Sequence, residues 1–140
     1  MTQTAPTIVT DAGFGPETWN GGFTPLTEAP ANDVVGLDLS SDADVTPLLA
    51  RLDGIAMIRI DFPSFADGRG FSLARRLRNA GFAGRLRARG HVLADQYAMA
   101  RRSGFDEVEI DAALASRQPE DQWRARASWQ DHNYQARLRA

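Results

Sequence analysis

The chain contains no cysteine and no lysine. The first absence excludes disulfides, thiolate nucleophiles, cysteine-ligated iron–sulfur clusters and zinc ribbons. The second makes all sixteen basic residues arginine, a pattern of GC-rich coding, since arginine and alanine codons are GC-rich and lysine codons are not. Long hydrophobic runs are missing as well: no apolar stretch approaches the ~20 residues of a membrane span, and the start "MTQTAPTIVTDAGF" lacks the basic region and apolar core of a signal peptide. No excess of one charge exists either, because a net charge of −2 and a pI near 5.6 give no bulk attraction to nucleic acid or anionic lipid. A cytoplasmic location without nucleic-acid or membrane partners is the expectation.

What is present suits one domain of 140 residues, 43% of them hydrophobic. Three segments are expected: a loop-rich N-terminal arm over 1–32, an α/β domain over 33–128 and a tail over 129–140. The arm is rich in proline and glycine, with a short hairpin around Ile8, Val9 and Trp19, and with Trp19 and Phe23 pinning it to the core. Its "GFG" at Gly13–Gly15 has neither the preceding buried strand nor the following helix of a dinucleotide fingerprint, and Pro16 interrupts it. No P-loop is present.

From Asp33 onward, apolar runs alternate with helical patterns. Strands are predicted over Val34–Leu39, Ile55–Phe62, Arg85–Arg89 and Glu107–Ile110. Between them lie a helix capped by Thr46 with Pro47 at its first position, a second over Phe71–Ala80 with Leu73, Leu77 and Ala80 on one face, and a third over Val92–Ser103 with Leu93, Tyr97 and Ala100 as its buried stripe. The three stop at Gly54-Ile55, Gly81-Phe82 and Gly104-Phe105, each a glycine followed by a hydrophobe, which is the chemistry of a left-handed C-cap. Repeated strand–helix–strand units require a parallel sheet with right-handed crossovers. The fold class expected is therefore α/β, with about four parallel strands built from βα repeats, open Rossmann-like or half-barrel-like. Weak alternation in the second strand suggests helices on both faces. A C-terminal helix begins near Pro119, with Trp123, Ala127 and Trp129 covering a sheet face; Gln135–Ala140 are expected to fray.

In such sheets ligands sit at the carboxyl ends of the strands. "FPSFADGRGFS" begins there: the connection Pro63–Gly70 is eight residues long, against the usual ~2–6. Asp67 can cap a helix, Gly68 and Gly70 allow close backbone approach, and Arg69 offers a planar fork to a carboxylate, phosphate or sulfur oxyanion. By the same topology Asp61, Arg87, His91, Asp95 and Gln96 share the rim. The anion- or partner-binding candidates are therefore Asp61, Asp67, Gly68, Arg69, Gly70, Arg87, Asp95 and Gln96. The competing structural reading places Asp67 and Asp95 at helix N-termini for electrostatic reasons alone and pairs Arg69 and Arg87 with Asp61 and Asp95. A binding loop requires the Arg69 guanidinium at least partly exposed, with the N–H groups of Gly70 and Phe71 facing the same space. His91 and His132 have no metal-ligand spacing, and no cofactor follows from the residues. Phe62 and Phe65 are expected to close the core beneath the loop.

"FPSFADGRGFSLARRLRNAGFAGRLRARGHVLADQ", followed by "RRSGFDEVEI", resembles the bacterial family catalogued as domain of unknown function 934. The motifs are F-P-x-F-x-D-G-R-G-F-S, G-x-L-R-A-x-G, L-x-D-Q and R-x-G-F-D, over roughly Val34–Ile110, with an echo at Tyr134-Gln135. The resemblance implies a small cytoplasmic protein of sulfate assimilation and cysteine biosynthesis, since relatives are often encoded beside assimilatory sulfite reductase and phosphoadenylyl-sulfate reductase; some are labelled oxidoreductases. It implies no catalytic residues. Ser103 stands where many relatives have cysteine and His91 where a small or acidic residue is common. Two functions follow as expectations: an accessory protein of sulfite reduction that binds an oxyanion or a partner reductase through the rim, or a small oxidoreductase acting on an oxyanion or nucleotide-linked substrate, with Asp61, Asp67, Asp95 and Arg69 as acid–base and charge-stabilising groups. A purely structural module is the third.

Overall fold

A computed structural model describes residues 5–26, 35–50 and 52–129. Val34, His132 and the tail beyond 129 lie outside them. The α/β expectation holds, but the sheet has seven strands rather than about four. They are β1 (Thr7–Thr10), β2 (Gly13–Gly15), β3 (Thr24–Pro25), β4 (Gly36–Leu39), β5 (Met57–Phe62), β6 (Arg85–Gly90) and β7 (Glu107–Ile110), in the order β2-β1-β7-β6-β5-β4-β3. The parallel run β4-β5-β6-β7 follows chain order. The additional strands come from the arm: β1 pairs antiparallel with β7 and with β2, and β3 adds in parallel to β4. The hairpin expected around Ile8 and Val9 is thus β1–β2, with Trp19 outside it; the pairing of β1 with β7 and the two-residue β3 carry no local periodicity for sequence reasoning to detect.

The helices are α1 (Arg69–Asn79), α2 (Tyr97–Ser103), α3 (Ala112–Arg117) and α4 (Glu120–Arg124). The predicted first helix is shorter than expected, a 3-10 turn over Thr46–Ala50. Thr46 does not cap it; the Asp44 carboxylate accepts the Thr46 N–H instead. The predicted third helix splits into a 3-10 turn at Ala94–Gln96 and α2. All three glycine stops have positive φ: Gly54 at 89°, Gly81 at 102° and Gly104 at 118°. After α1 the Phe82 N–H bonds Leu77 O and the Gly81 N–H bonds Arg78 O; after α2 Phe105 bonds Ala100 O and Gly104 bonds Arg101 O. This is the double bond of the Schellman motif, which only a left-handed residue closes. Arg78 then fastens the two helix ends together, donating to the carbonyls of Gly104, Phe82 and Gly84 and to Asp106.

The sheet's two faces differ. Alternation sends Leu37, Leu39, Ile58, Ile60, Phe62, Leu86, Ala88, Val108 and Ile110 to one side, where they form the core with Leu73, Leu77, Tyr97, Ala100 and Trp123 from the helices. Trp123 seals this side, edge-on to Tyr97. Successive right-handed crossovers in one direction put every connecting helix on the same side. The expectation of helices on both faces is thus corrected: the opposite face carries Asp38, Arg59, Asp61, Arg85, Arg87, Arg89, Glu107 and Glu109, and the arm covers it. No described helix is long and apolar enough to cross a membrane.

Candidate functional site

The β5–α1 loop does stand at the carboxyl edge. Arg69 opens α1, and its side chain is 60% exposed. Its donors nonetheless face protein: Nε and Nη2 reach the two oxygens of Asp67 at 3.0 and 2.8 Å, and Nη2 reaches the Ser41 hydroxyl at 3.1 Å. Asp67 also accepts the Arg69 N–H and the Ser41 hydroxyl. The Arg69 side chain, then Ser41, hold the Asp67 carboxyl well below the usual carboxylate range. Gly68 is the residue before α1 and supplies no side-chain cap; its carbonyl takes the Phe71 N–H. Gly70 is buried, and a Cβ there would stand 2.5 Å from the Phe62 ring. Its need for glycine is a close ring contact within the core.

The neighbouring β6–α2 turn meets this loop. Gln96 accepts the Leu93 N–H at 2.8 Å and donates to Phe65 O at 3.1 Å, joining the two turns. The His91 N–H bonds Phe62 O, and the His91 ring lies edge-on to Phe65 at 5.2 Å. Phe62 is buried, but Phe65 is 36% exposed; it caps the loop from outside rather than closing the core. Asp95 is exposed and pairs with Arg126 at 2.7 Å. Ser103 is buried, and its hydroxyl bonds the Met99 carbonyl one turn back.

Arg87 is not on the rim. It lies at mid-strand on the charged face, 0% exposed, with Nε on Glu107 at 2.6 Å, Nη1 on Glu109 at 2.7 Å, and Nη1 and Nη2 on the two oxygens of Glu17 at 2.7 and 2.6 Å. Burial opposes its charge, yet Glu17, Glu107 and Glu109 outweigh that and hold it more firmly protonated than an ordinary arginine. Arg59 donates two hydrogen bonds to the Asp38 carboxylate and reaches Glu109. Phe23 lies over its guanidinium, 3.7 Å from carbon to ring centre. Phe23, expected to pin the arm to the core, thus lies on the charged face, and Glu17, Arg59, Glu107 and Glu109 were not among the predicted site residues. The R-L-R-A-R and E-V-E-I alternations signal a charged face, but the partners follow only from register.

Asp61 does reach open space. It borders two clefts at the carboxyl edge. One, of about 410 Å³, is lined by Pro63, Arg89, His91, Glu109, Asp111 and Arg117 among others. The second, of about 580 Å³, lies between Pro25, Leu26, Asp38, Leu39 and the Ser40–Asp44 turn. Asp61 and Arg89, opposite each other across β5 and β6, belong to both. Arg89 is 48% exposed and touches Glu109 at 3.5 Å, a looser contact than any at Arg87. Thus the predicted rim divides into an interlocked pair of turns (Asp67, Gly68, Arg69, Gly70, Asp95, Gln96), one open carboxylate (Asp61) and one sealed arginine (Arg87). Among the described residues no cluster of three or more His, Asp or Glu is arranged to hold a metal ion.

The family described as "Bacterial protein of unknown function (DUF934)" matches residues 36–140. The chain belongs to that family. The matched DUF934 region holds β4–β7, all four helices and every sheet arginine, whereas the arm carrying β1–β3, Glu17 and Phe23 precedes it. No curated protein and no solved structure matches the chain.

Proposed function

We propose that this DUF934 protein is a cytoplasmic accessory factor of assimilatory sulfate and sulfite reduction, which binds an oxyanion or an anionic surface of a partner reductase at the carboxyl edge of the sheet. The observation that carries the reading is the half-exposed Arg89, shared by both clefts. Unlike Arg87, it has one ionic contact among the described residues, the 3.5 Å approach to Glu109, and an arginine fork suits a tetrahedral or pyramidal oxyanion. Arg117 and His91 stand on the same cleft wall. The sulfur-assimilation setting comes from the family resemblance. Titration of sulfite and sulfate into labelled protein, followed through the arginine Nε–H signals, tests it: Arg89 and Arg117 are expected to shift saturably, and Arg89→Ala to abolish the shift without moving the unfolding midpoint. Absence of saturable shifts, together with failure of the immobilised protein to retain any sulfur-assimilation reductase, would overturn the reading.

A small oxidoreductase is the second reading, favoured by Asp61. Its carboxylate stands beside Arg89 in both clefts, so one group can move a proton while the other stabilises developing negative charge. Turnover of sulfite or an adenylyl-linked sulfur substrate with a supplied reductant, lost in a folded Asp61→Asn variant, would establish it in place of the accessory role.

A further inference from the structure

The charged sheet face is neutral without the arm. Arg59, Arg85, Arg87 and Arg89 lie among Asp38, Asp61, Glu107 and Glu109, and Arg87 keeps two carboxylates of its own from β7. Glu17 is an additional carboxylate, brought by a segment between β2 and β3 that forms no strand. It meets Arg87 with both oxygens on both terminal nitrogens, the fork-to-fork geometry by which arginine recognises carboxylates. Beside it the Phe23 ring covers Arg59 at 3.7 Å and lies 5.8 Å from the Arg87 guanidinium, a cation–π arrangement. Carboxylate and ring therefore engage adjacent arginines of the DUF934 region, while both groups come from outside it.

We infer that the face around Arg59 and Arg87 is a receiving site for a small aromatic carboxylate, and that Glu17 and Phe23 occupy it in that ligand's place. When Glu17 leaves, the outer edge of the Arg87 fork is presented while Glu107 and Glu109 continue to hold its other side. A route exists at the neighbouring cleft: its wall contains Asp38, the Arg59 partner, and Pro25 and Leu26 from the same arm. Displacing the arm joins that cleft to the site. The depressed pKa of Glu17, owed first to its bond with Arg87, agrees with a carboxylate held as an anion. Because the internal occupant is tethered, it competes at high effective concentration, so an external ligand binds the native chain weakly.

The probe is 3-phenylpropionate, with propionate and 3-cyclohexylpropionate as controls, titrated into the full chain and two variants. Glu17→Gln keeps the shape and removes the charge. Gly36→Ala touches neither occupant, yet its Cβ would collide with the Gly22 carbonyl and press on the Trp19 ring, lifting the arm. Both variants are expected to bind the phenyl probe about tenfold or more tightly than the native chain, to prefer it over the cyclohexyl analogue, and to shift the Nε–H signals of Arg59 and Arg87. Equal affinity in all three proteins would overturn the inference. So would loss of folding in both variants, since the arm would then be an indispensable part of the sheet, and so would concentration-dependent dimers formed by arm exchange, which would make a second copy the occupant.

Discussion

The helix-covered and arm-covered faces of the same sheet are held by different physics. On the helix side, Ile58, Ile60, Leu86 and Val108 meet Leu77, Tyr97 and Phe105 through burial that is non-directional and depends on volume and shape. On the arm side the contacts are directed and depend on register. Asp38 stands opposite Arg59, Arg87 opposite Glu107, and Arg89 opposite Glu109, the cross-strand placement at which opposite charges attract and like charges repel. A slip of one residue would send every one of these groups into the apolar core. The charged face therefore adds specificity of pairing to a sheet whose cohesion comes from the other side.

The sharpest way to break this contrast is Arg87→Met. Removing the guanidinium leaves Glu107 and Glu109 buried without their main partner, and a loss of about 3–5 kcal/mol is expected in denaturant unfolding. Adding Glu107→Leu and Glu109→Leu is expected to recover most of it, because a well-packed apolar replacement of a buried ion network is often neutral. On the opposite face, Leu77→Ala opens a cavity under α1 and is expected to cost about 2–5 kcal/mol, without a compensating partner substitution. Similar recovery on both faces would erase the distinction.

Acid unfolding sharpens the comparison at smaller scale. Glu17 titrates at an ordinary 4.5 and lower when folded, because of Arg87. The unfolded chain thus takes up this proton first; the stability it contributes is complete above pH 4.5 and is lost as pH falls through the folded value. Glu17→Gln is expected to make the acid limb of the stability curve shallower, and identical limbs would mean that the arm is not held by charge. Arg69→Ala should have the smallest effect. Its exposed pair with Asp67 is screened by solvent, so the unfolding midpoint is expected to stay close to the native one; a large drop would place the loop among the structural parts of the charged face.

Much of the parallel core was legible. The β5–β7 strands lie within two residues of their predicted limits, and the three glycine-hydrophobe stops mark true left-handed turns, because those signals are local. The hairpin around Ile8 and Val9 was legible and forms between β1 and β2; its docking on β7, about a hundred residues away, and the addition of β3 to β4 were not, since such pairings leave no local signal. Arg87 was placed on the rim for a similar reason: counting from the strand end locates it along β6 but gives neither its face nor the acidic residues of β7 and the arm that enclose it. Asp61 was placed correctly at the edge, while Arg89, its neighbour in both clefts, was passed over although the R-L-R-A-R pattern puts it on that face.

The pairing of β1 with β7 also governs the order of assembly. During synthesis β1 can pair locally with β2, but this hairpin cannot join the sheet until the chain has been made through Ile110, the partner of Thr7. The βα units can close progressively through shorter connections, whereas closure of this longest loop comes at the end. Until then Ile8 and Val9, buried in the finished protein, are exposed on a hairpin whose other edge is unpaired and prone to association. A nascent chain stalled before β7 would therefore show protected α1 amides alongside faster exchange at the β1 amides that face β7, and chaperones that bind short apolar extended segments would find a target in β1.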